Sequence, residues 1–244
     1  MCIIWSFFMK NIKGKIELVM AVLVLLGAGV LGRQGAKIVS AVSGDNEGQL
    51  PQYQVVIDVG HGGIDSGKVS AEGVLEKDVN LVIAKKLGAL LEQSDVAVTY
   101  TRESDTGLYQ EGDSNKKVAD LQNRCALIEK IDPACTVSIH QNSYSAPEVR
   151  GAQVFYYGQS EEGKQLAEQI QQSLVSRVDP DNHRQAKAND SYYLLKRTVS
   201  PTVIVECGFL SCPQEAELLI DDAYQNRLAW AIHMGVMQYL HRAQ

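Results

Sequence analysis

The sequence has no excess of positive charge: Lys and Arg total 23 against 29 Asp and Glu, for a net charge of −6. An electrostatic grip on a phosphate backbone therefore has nothing to build on, and nucleic acid is not an expected partner. It has no C-x-x-C pair, and its cysteines number five, an odd count that includes Cys2 at the N-terminus. Neither a disulfide framework nor a thiolate zinc site is indicated. No period of about 20 to 50 residues recurs, which argues against a solenoid or propeller. With 45% apolar and 21% charged residues, the chain does not have a low-complexity or disordered composition. What remains is a 244-residue chain, long enough for an N-terminal tail and one domain with a sizeable core.

The charge is unevenly placed. Lys10, Lys13, Lys15, Arg33 and Lys37 fall before residue 42 with only Glu17 against them, which leaves 18 basic and 28 acidic residues after it, or −10. Residues 18–31 (LVMAVLVLLGAGVL) carry no charged or strongly polar side chain and follow the basic cluster. That order is the grammar of an export signal, and Val39-Ser40-Ala41 offers a small-residue cleavage site. A second reading keeps the segment as an uncleaved anchor, since residues 16–32 reach the short limit for spanning a bilayer. Met9 opens a tidier version of the same signal. Residues 1–41 are thus expected to be a signal peptide or membrane anchor that engages the export machinery, 42–52 a linker, and 53–244 the domain.

From Tyr53 the chain alternates strand-type and helix-type segments, the mark of an α/β domain. Strands are expected at 53–58, 96–101, 136–140, 152–157, 192–195 and 202–206, all rich in Val, Ile, Tyr and Thr. Runs such as VVI and TVIV imply strands covered on both faces. The expected fold is a single domain with a central, mostly parallel or mixed sheet of about six strands, flanked by helices on both faces. Helical stripes run through Val79, Ile83, Leu87 and Leu90, through Leu166, Ile170 and Leu174, and through Leu228, Ile232 and Val236. Cys125 repeats with Val118, Leu121 and Ile128 at helical spacing, while Cys135 and Cys207 lie in or beside apolar strands, so buried free thiols are expected. Cys207 and Cys212 could pair or bind metal, but their spacing gives no support for it. Two long polar connections, 103–117 and 179–190, interrupt the rhythm, the second with the basic trio His183, Arg184 and Lys187. Long loops carry function or are solvated insertions, and both readings stay open.

Four residues stand out chemically. His61 follows the apolar strand QVVID among glycines, and His140 ends the apolar strand TVSI. Ligands collect where the strands of an open α/β sheet end. Glu76 begins the first striped helix, where an acid is also favoured by the helix N-terminus. Two imidazoles and a carboxylate would leave an open fourth position on a tetrahedral zinc, the pattern of a catalytic site. Glu206 follows four apolar strand residues, where a carboxylate is costly to bury without a partner or a task. Strand alternation sends Cys207 to the face opposite Glu206. A carboxylate base beside a metal and water is what metal-assisted hydrolysis requires.

The motifs DVGHGGIDSG, VLEKDVNL, VTYTRESD, TVSIHQNS, RGAQVFYY and PTVIVECGFLS, followed by EAELL, resemble in order those of the zinc-dependent N-acetylmuramoyl-L-alanine amidases. The resemblance covers residues 54–240. It implies one zinc per chain held by His61, Glu76 and His140, with Glu206 as catalytic carboxylate, and peptidoglycan as substrate, cut at the amide between muramic acid and L-alanine. Two positions depart from the family pattern: Val59 stands where it usually has proline, and Cys212 where it usually has asparagine. The short chain, the EGDSNKK insertion and the RQAKANDSYYLLK stretch resemble the germination-specific, spore-cortex branch of the family. That branch implies an exported protein acting in the cell wall or cortex, where stem-peptide removal precedes muramic lactam formation, and leaves room for sporulation partner proteins. The rival expectations are a catalytically inactive wall-binding or regulatory module and a zinc carboxypeptidase acting on stem peptides.

Overall fold

The computed structural model describes residues 52–242. The expected signal or anchor at 1–41 and all but the last residue of the expected linker lie outside the described residues. The described chain is one α/β domain built on a six-stranded sheet. Its strands are β1 (Tyr53–Val59), β2 (Val96–Tyr100), β3 (Cys135–Asn142), β4 (Gln153–Tyr156), β5 (Lys187–Ala188) and β6 (Thr202–Phe209). Its helices are α1 (Glu76–Glu92), α2 (Lys116–Ile131), α3 (Glu161–Arg177), α4 (Tyr193–Arg197), α5 (Pro213–Leu219) and α6 (Asp222–Arg242). The strand order is β2-β1-β3-β6-β4-β5, parallel throughout except where β4 runs antiparallel to β6.

Alternation along the strands sorts the side chains onto two unlike faces. Val55, Ile57 and Val59 of β1, Val137 and Ile139 of β3, and Val203, Val205 and Cys207 of β6 enter one continuous apolar core. The expected stripes close over it: Val79, Ile83 and Leu87 of α1, Leu166, Ile170 and Leu174 of α3, and Leu228, Ile232 and Val236 of α6. The stripe on α1 ends on Leu91, with Leu90 only partly buried. The other face is covered by α2 and the short α4, through two small clusters: Val56 with Ile128 and Leu194, and Phe155 with Leu195 and Ile204. Helices thus flank both faces, but the second cover stops short and leaves a cleft.

Two expectations are corrected. Residues 192–195 are not a strand; Tyr193–Arg197 is helix α4, and the sixth strand is the two-residue β5 just before it. The aromatic and apolar run YYLL suits a strand by composition, but Asn189 Oδ1 accepts from the backbone N–H groups of Ser191 (2.8 Å) and Tyr192 (3.2 Å) and turns the chain into a helix. On α2, Val118 and Leu121 are exposed and Cys125 is only half-buried, so of that stripe Ile128 alone is core; Cys135, Cys207 and Cys212 are buried free thiols.

Candidate active site

β1 ends at Val59 and the chain turns sharply through Gly60 and His61. His61 itself adopts a left-handed backbone, φ +61°, which costs a non-glycine residue about 1 kcal/mol or more. Only glycine fits on either side of this arrangement. A Cβ on Gly60 would run into the His140 ring and the Ile139 carbonyl, and one on Gly67, itself at φ +67°, would lie 2.5 Å from Glu76 Oε2 and 2.7 Å from His61 Cδ2.

The turn brings three of the four sequence-selected residues together. His61 Nε2 lies 3.1 Å from Glu76 Oε1, and His140 Nδ1 lies 3.0 Å from the same oxygen. The two rings meet edge to face, with centroids 4.9 Å apart. One ligand-type atom from each residue falls within 4.8 Å of the others, and two imidazole nitrogens with a carboxylate oxygen form a donor set that suits zinc. Glu76 reaches the spot because α1 opens without a side-chain cap, so the first-turn carboxylate is free to turn inward. There Oε1 accepts the Gln141 N–H (3.0 Å) and Oε2 the Lys68 N–H (2.7 Å). Burial opposes ionisation, but hydrogen bonds and charge from His140 and His61 outweigh it and hold the Glu76 carboxyl well below the usual range. On His61 the other ring nitrogen, Nδ1, lies 2.8 Å from Asp65 Oδ2, which fixes the ring and leaves Nε2 to face Glu76.

Glu206, the fourth residue, sits beside His140. The two are register partners on the adjacent parallel strands β6 and β3. Its Oε1 accepts from the Tyr192 hydroxyl at 3.3 Å, while Oε2 is buried with no partner. Burial pushes its pKa up; His140 pulls the other way and the nearby Glu76 charge adds to the rise, leaving Glu206 above the ordinary carboxylate range. Burial and the Glu206 charge in turn push the Tyr192 phenol up to about 12. Glu206 lines a cleft of about 230 Å³ together with His61 and His140, with Leu121, Tyr193 and Ile204 among its apolar walls.

Several supporting residues escape a reading of the sequence. Arg124, fully buried on α2, donates to the carbonyls of Val59 (2.6 Å) and His61 (2.7 Å) and pairs with Asp58 (2.7 Å). Arg102 donates to the carbonyls of Val59 (3.1 Å), Gly60 (3.0 Å) and Lys77 (2.7 Å). The two guanidinium groups therefore grip every carbonyl of the His61 turn and tie it to the start of α1. Asp58 accepts from Arg124, from Thr101 Oγ1 (2.9 Å) and from Ser138 Oγ. Its burial would raise its pKa, but Arg124 and these donors bring it below normal. Arg102 lies within the motif VTYTRESD, so its segment was visible in the sequence; Arg124 lies on a helix whose pattern gave no sign of a buried charge. The 103–117 connection is no detached insertion: Asp105 accepts from the Gly63 N–H (2.8 Å) and Lys77 (2.7 Å), and the Tyr109 hydroxyl accepts from the Ile64 N–H (3.1 Å).

The two departures from the family pattern have structural consequences. Val59 uses the N–H that proline would lack, donating to Thr101 Oγ1 at 2.9 Å. Cys212 occupies the N-cap of α5 without a side-chain cap, its thiol turned instead to Gln214 at 3.3 Å. Cys207 faces the large core, away from the cleft.

The sheet and the cleft define a class first: an open-sheet α/β domain whose polar site is assembled at the carboxyl ends of parallel strands. Residues 55–238 match the family described as N-acetylmuramoyl-L-alanine amidase. The chain is 38% identical, over 76% of its own length and 78% of the relative's, to the germination-specific N-acetylmuramoyl-L-alanine amidase of Bacillus subtilis. Among solved structures it is similar to the CwlD amidase of Clostridioides difficile, solved in complex with the GerS lipoprotein, with 40% identity, a TM-score of 0.76, and coverage of 78% of this chain and 100% of that one. It is also similar to the AmiC2 amidase of Nostoc punctiforme, with 35% identity, a TM-score of 0.68, and coverage of 78% and 98%. The chain belongs to the N-acetylmuramoyl-L-alanine amidase family and is an enzyme acting on peptidoglycan.

Proposed function

We propose that this chain is a zinc-dependent amidase in which His61, Glu76 and His140 hold one zinc ion and Glu206 is the general base. The reading rests above all on one observation: three ligand-type atoms converge on one point beside a buried carboxylate oxygen that has no partner of its own. Zinc bound there would polarise the scissile carbonyl and acidify a water molecule. Glu206 accepts that water's proton and returns it to the departing L-alanine nitrogen, a task helped by its upward-shifted pKa. Tyr192 holds one Glu206 oxygen and leaves the other without a protein partner. Asp65 holds the His61 ring in its ligating orientation. Arg102 and Arg124 hold the His61 turn in its left-handed shape.

The wider role follows from the relatives. Likeness to the germination-specific enzyme supports removal of stem peptides from muramic acid in the spore cortex ahead of muramic lactam formation. Residues 1–41 serve as export signal or anchor and place the domain at 53–244 outside the cytoplasmic membrane, where its polymer lies. Among the described residues no helix is long and apolar enough to cross a membrane. The C. difficile relative's complex with a lipoprotein supports a protein partner here too.

The test is digestion of purified peptidoglycan by the full chain and Glu206→Gln, with released ends identified by mass spectrometry and zinc measured by elemental analysis. The expected outcome is a freed muramic carboxyl, loss of about 10²-fold or more in rate for the variant, and zinc near one per chain in both proteins. Zinc lost together with activity would make Glu206 a ligand, and cuts between amino acids would make the protein a peptidase. His61→Ala and His140→Ala are expected to lose the metal while the domain stays folded.

A further inference from the structure

The 179–190 connection, singled out for its basic trio, is not used by the chemistry above, yet it bonds to the strand neighbour of Glu206. Gln153 of β4 is the register partner of Glu206, and antiparallel partners stand on the same face with Cβ atoms about 5 Å apart. Arg184 Nη1 donates to Gln153 Oε1 at 3.2 Å, and its Nε donates to the Arg150 carbonyl at 2.8 Å. The guanidinium is also stacked over the Phe209 ring, 4.8 Å from its centroid. Asn182 shapes the approach from below: it is buried, donates to the Ala152 carbonyl (2.8 Å) and accepts the Arg184 N–H (3.0 Å). Arg184 is thus held at three points, one strand away from the proposed base.

What it lacks is an acid. The cations on the other side of the site are paired: Lys117 with Asp65, Lys77 with Asp105, and Arg124 with Asp58 and Asp120. Among the described residues Arg184 makes no ion pair, and its Nη2 has no protein acceptor. Asp179 and Asp181 line the same hollow of about 310 Å³, but neither comes within salt-bridge distance of it. A guanidinium that is rigid, half-exposed and uncompensated is prepared for a planar anion.

The two flanks of the cleft differ in the way the two halves of the substrate differ. Leu121, Tyr193, Leu194 and Ile204 give one wall an apolar and aromatic surface, suited to the C–H faces of an uncharged sugar ring. On the β4 side, one strand from Glu206, Arg184 lines a neighbouring hollow. The peptide half of the substrate carries carboxylates, and a domain with net charge −8 over residues 53–244 needs a local fixed cation to hold them. We propose that Arg184 is a specificity-determining residue that binds the free carboxylate of the stem-peptide residue next to the cleaved L-alanine, and so sets the direction in which the substrate lies across the site. This rests on the amidase reading above.

The experiment compares the full chain with Arg184→Gln and Arg184→Lys on two substrates, muramoyl-L-alanyl-D-glutamate and its α-amide, muramoyl-L-alanyl-D-isoglutamine. Lys187→Gln, which removes an exposed cation from the same loop, is the control for general charge. The carboxylate form is expected to be preferred through KM. Arg184→Gln is expected to raise KM for it by about tenfold or more with the change in kcat much smaller, and so to erase the preference, with Arg184→Lys intermediate and zinc content near one per chain. Lys187→Gln is expected to change the ratio less than about twofold. Binding of the dipeptide L-alanyl-D-glutamate, followed by NMR without turnover, is expected to weaken in parallel, and this arm decides the subsite even if the chain cleaves neither substrate. A carboxylate-to-amide ratio equal in the full chain and Arg184→Gln, or dipeptide binding indifferent to Arg184, overturns the proposal; so does a loss confined to kcat or accompanied by loss of zinc.

Discussion

Along β1, β3 and β6, odd-numbered side chains such as Val55, Ile139 and Val205 enter a core sealed by three long helices, while even-numbered ones such as Asp58, His140 and Glu206 face a partly open cover. The same strands therefore carry stability on one side and chemistry on the other. Within the second face there is a further contrast between two buried carboxylates. Asp58 is compensated by a guanidinium and two hydroxyls, and its pKa falls. Glu206 keeps one oxygen without a partner, and its pKa rises. A buried acid that is fully satisfied holds structure together, whereas one left partly unsatisfied is available to react.

The strongest way to break this contrast is to remove the compensation. Arg124→Leu leaves Asp58 buried without its cation and releases the carbonyls of Val59 and His61, so denaturant unfolding is expected to show a loss of about 3–5 kcal/mol. Glu206→Leu should behave in the opposite way, abolishing turnover while leaving the midpoint of unfolding level with or above that of the natural chain. A marked loss of stability in Glu206→Leu would show that Glu206, like Asp58, is structural.

Asp65→Asn tests the turn without touching the core. Zinc affinity, measured by competition with a chelator, is expected to fall by about 10- to 100-fold, with the unfolding midpoint of the metal-free protein little changed. On the sealed face, Ile139→Val deletes one methyl from a fully buried side chain and is expected to cost about 0.5–1.5 kcal/mol without altering zinc affinity. The smallest effect concerns His233 on α6, whose Nε2 lies 2.9 Å from Ser94 Oγ and whose Nδ1 is buried without a partner. Burial depresses its pKa, so the unfolded chain takes up its proton first as pH falls below about 6.5, and stability declines from there toward the lower folded value while nothing changes above it. His233→Gln is expected to flatten that decline in unfolding midpoints measured between about pH 7.5 and 5.

Three of the four proposed residues, His61, His140 and Glu206, were legible because polar groups at the ends of apolar strands advertise a cost that function explains, whereas Glu76, at a helix start, stood out only in their company. The stripes on α1, α3 and α6 carried through because periodicity reports burial, while that on α2 failed but for Ile128. α4 was missed because YYLL has the composition of a strand, and the Asn189 turn that redirects it is a single side-chain hydrogen-bond pattern with no periodic signature. Arg124 and Arg102 were missed as supports of the site for a related reason, and Arg184 was noticed only as one of a basic trio in a long loop. An arginine in sequence reads as solvated, and only the fold reveals which one is buried against carbonyls and which is pinned beside the cleft.

By itself, the sequence determined the α/β class, the long strands and helices, the stripes on α1, α3 and α6 and three of the four residues selected for the centre, because each depends on local period or on the local cost of a polar group after an apolar strand. The tertiary structure alone decided that the cover over the second face stops short, that His61 takes a left-handed backbone, and that distant arginines hold it there. It also set Gln153 beside Glu206, with Arg184 bonded to Gln153. These depend on which strands become neighbours, and pairing between residues scores of positions apart leaves no trace in the pattern of any one segment.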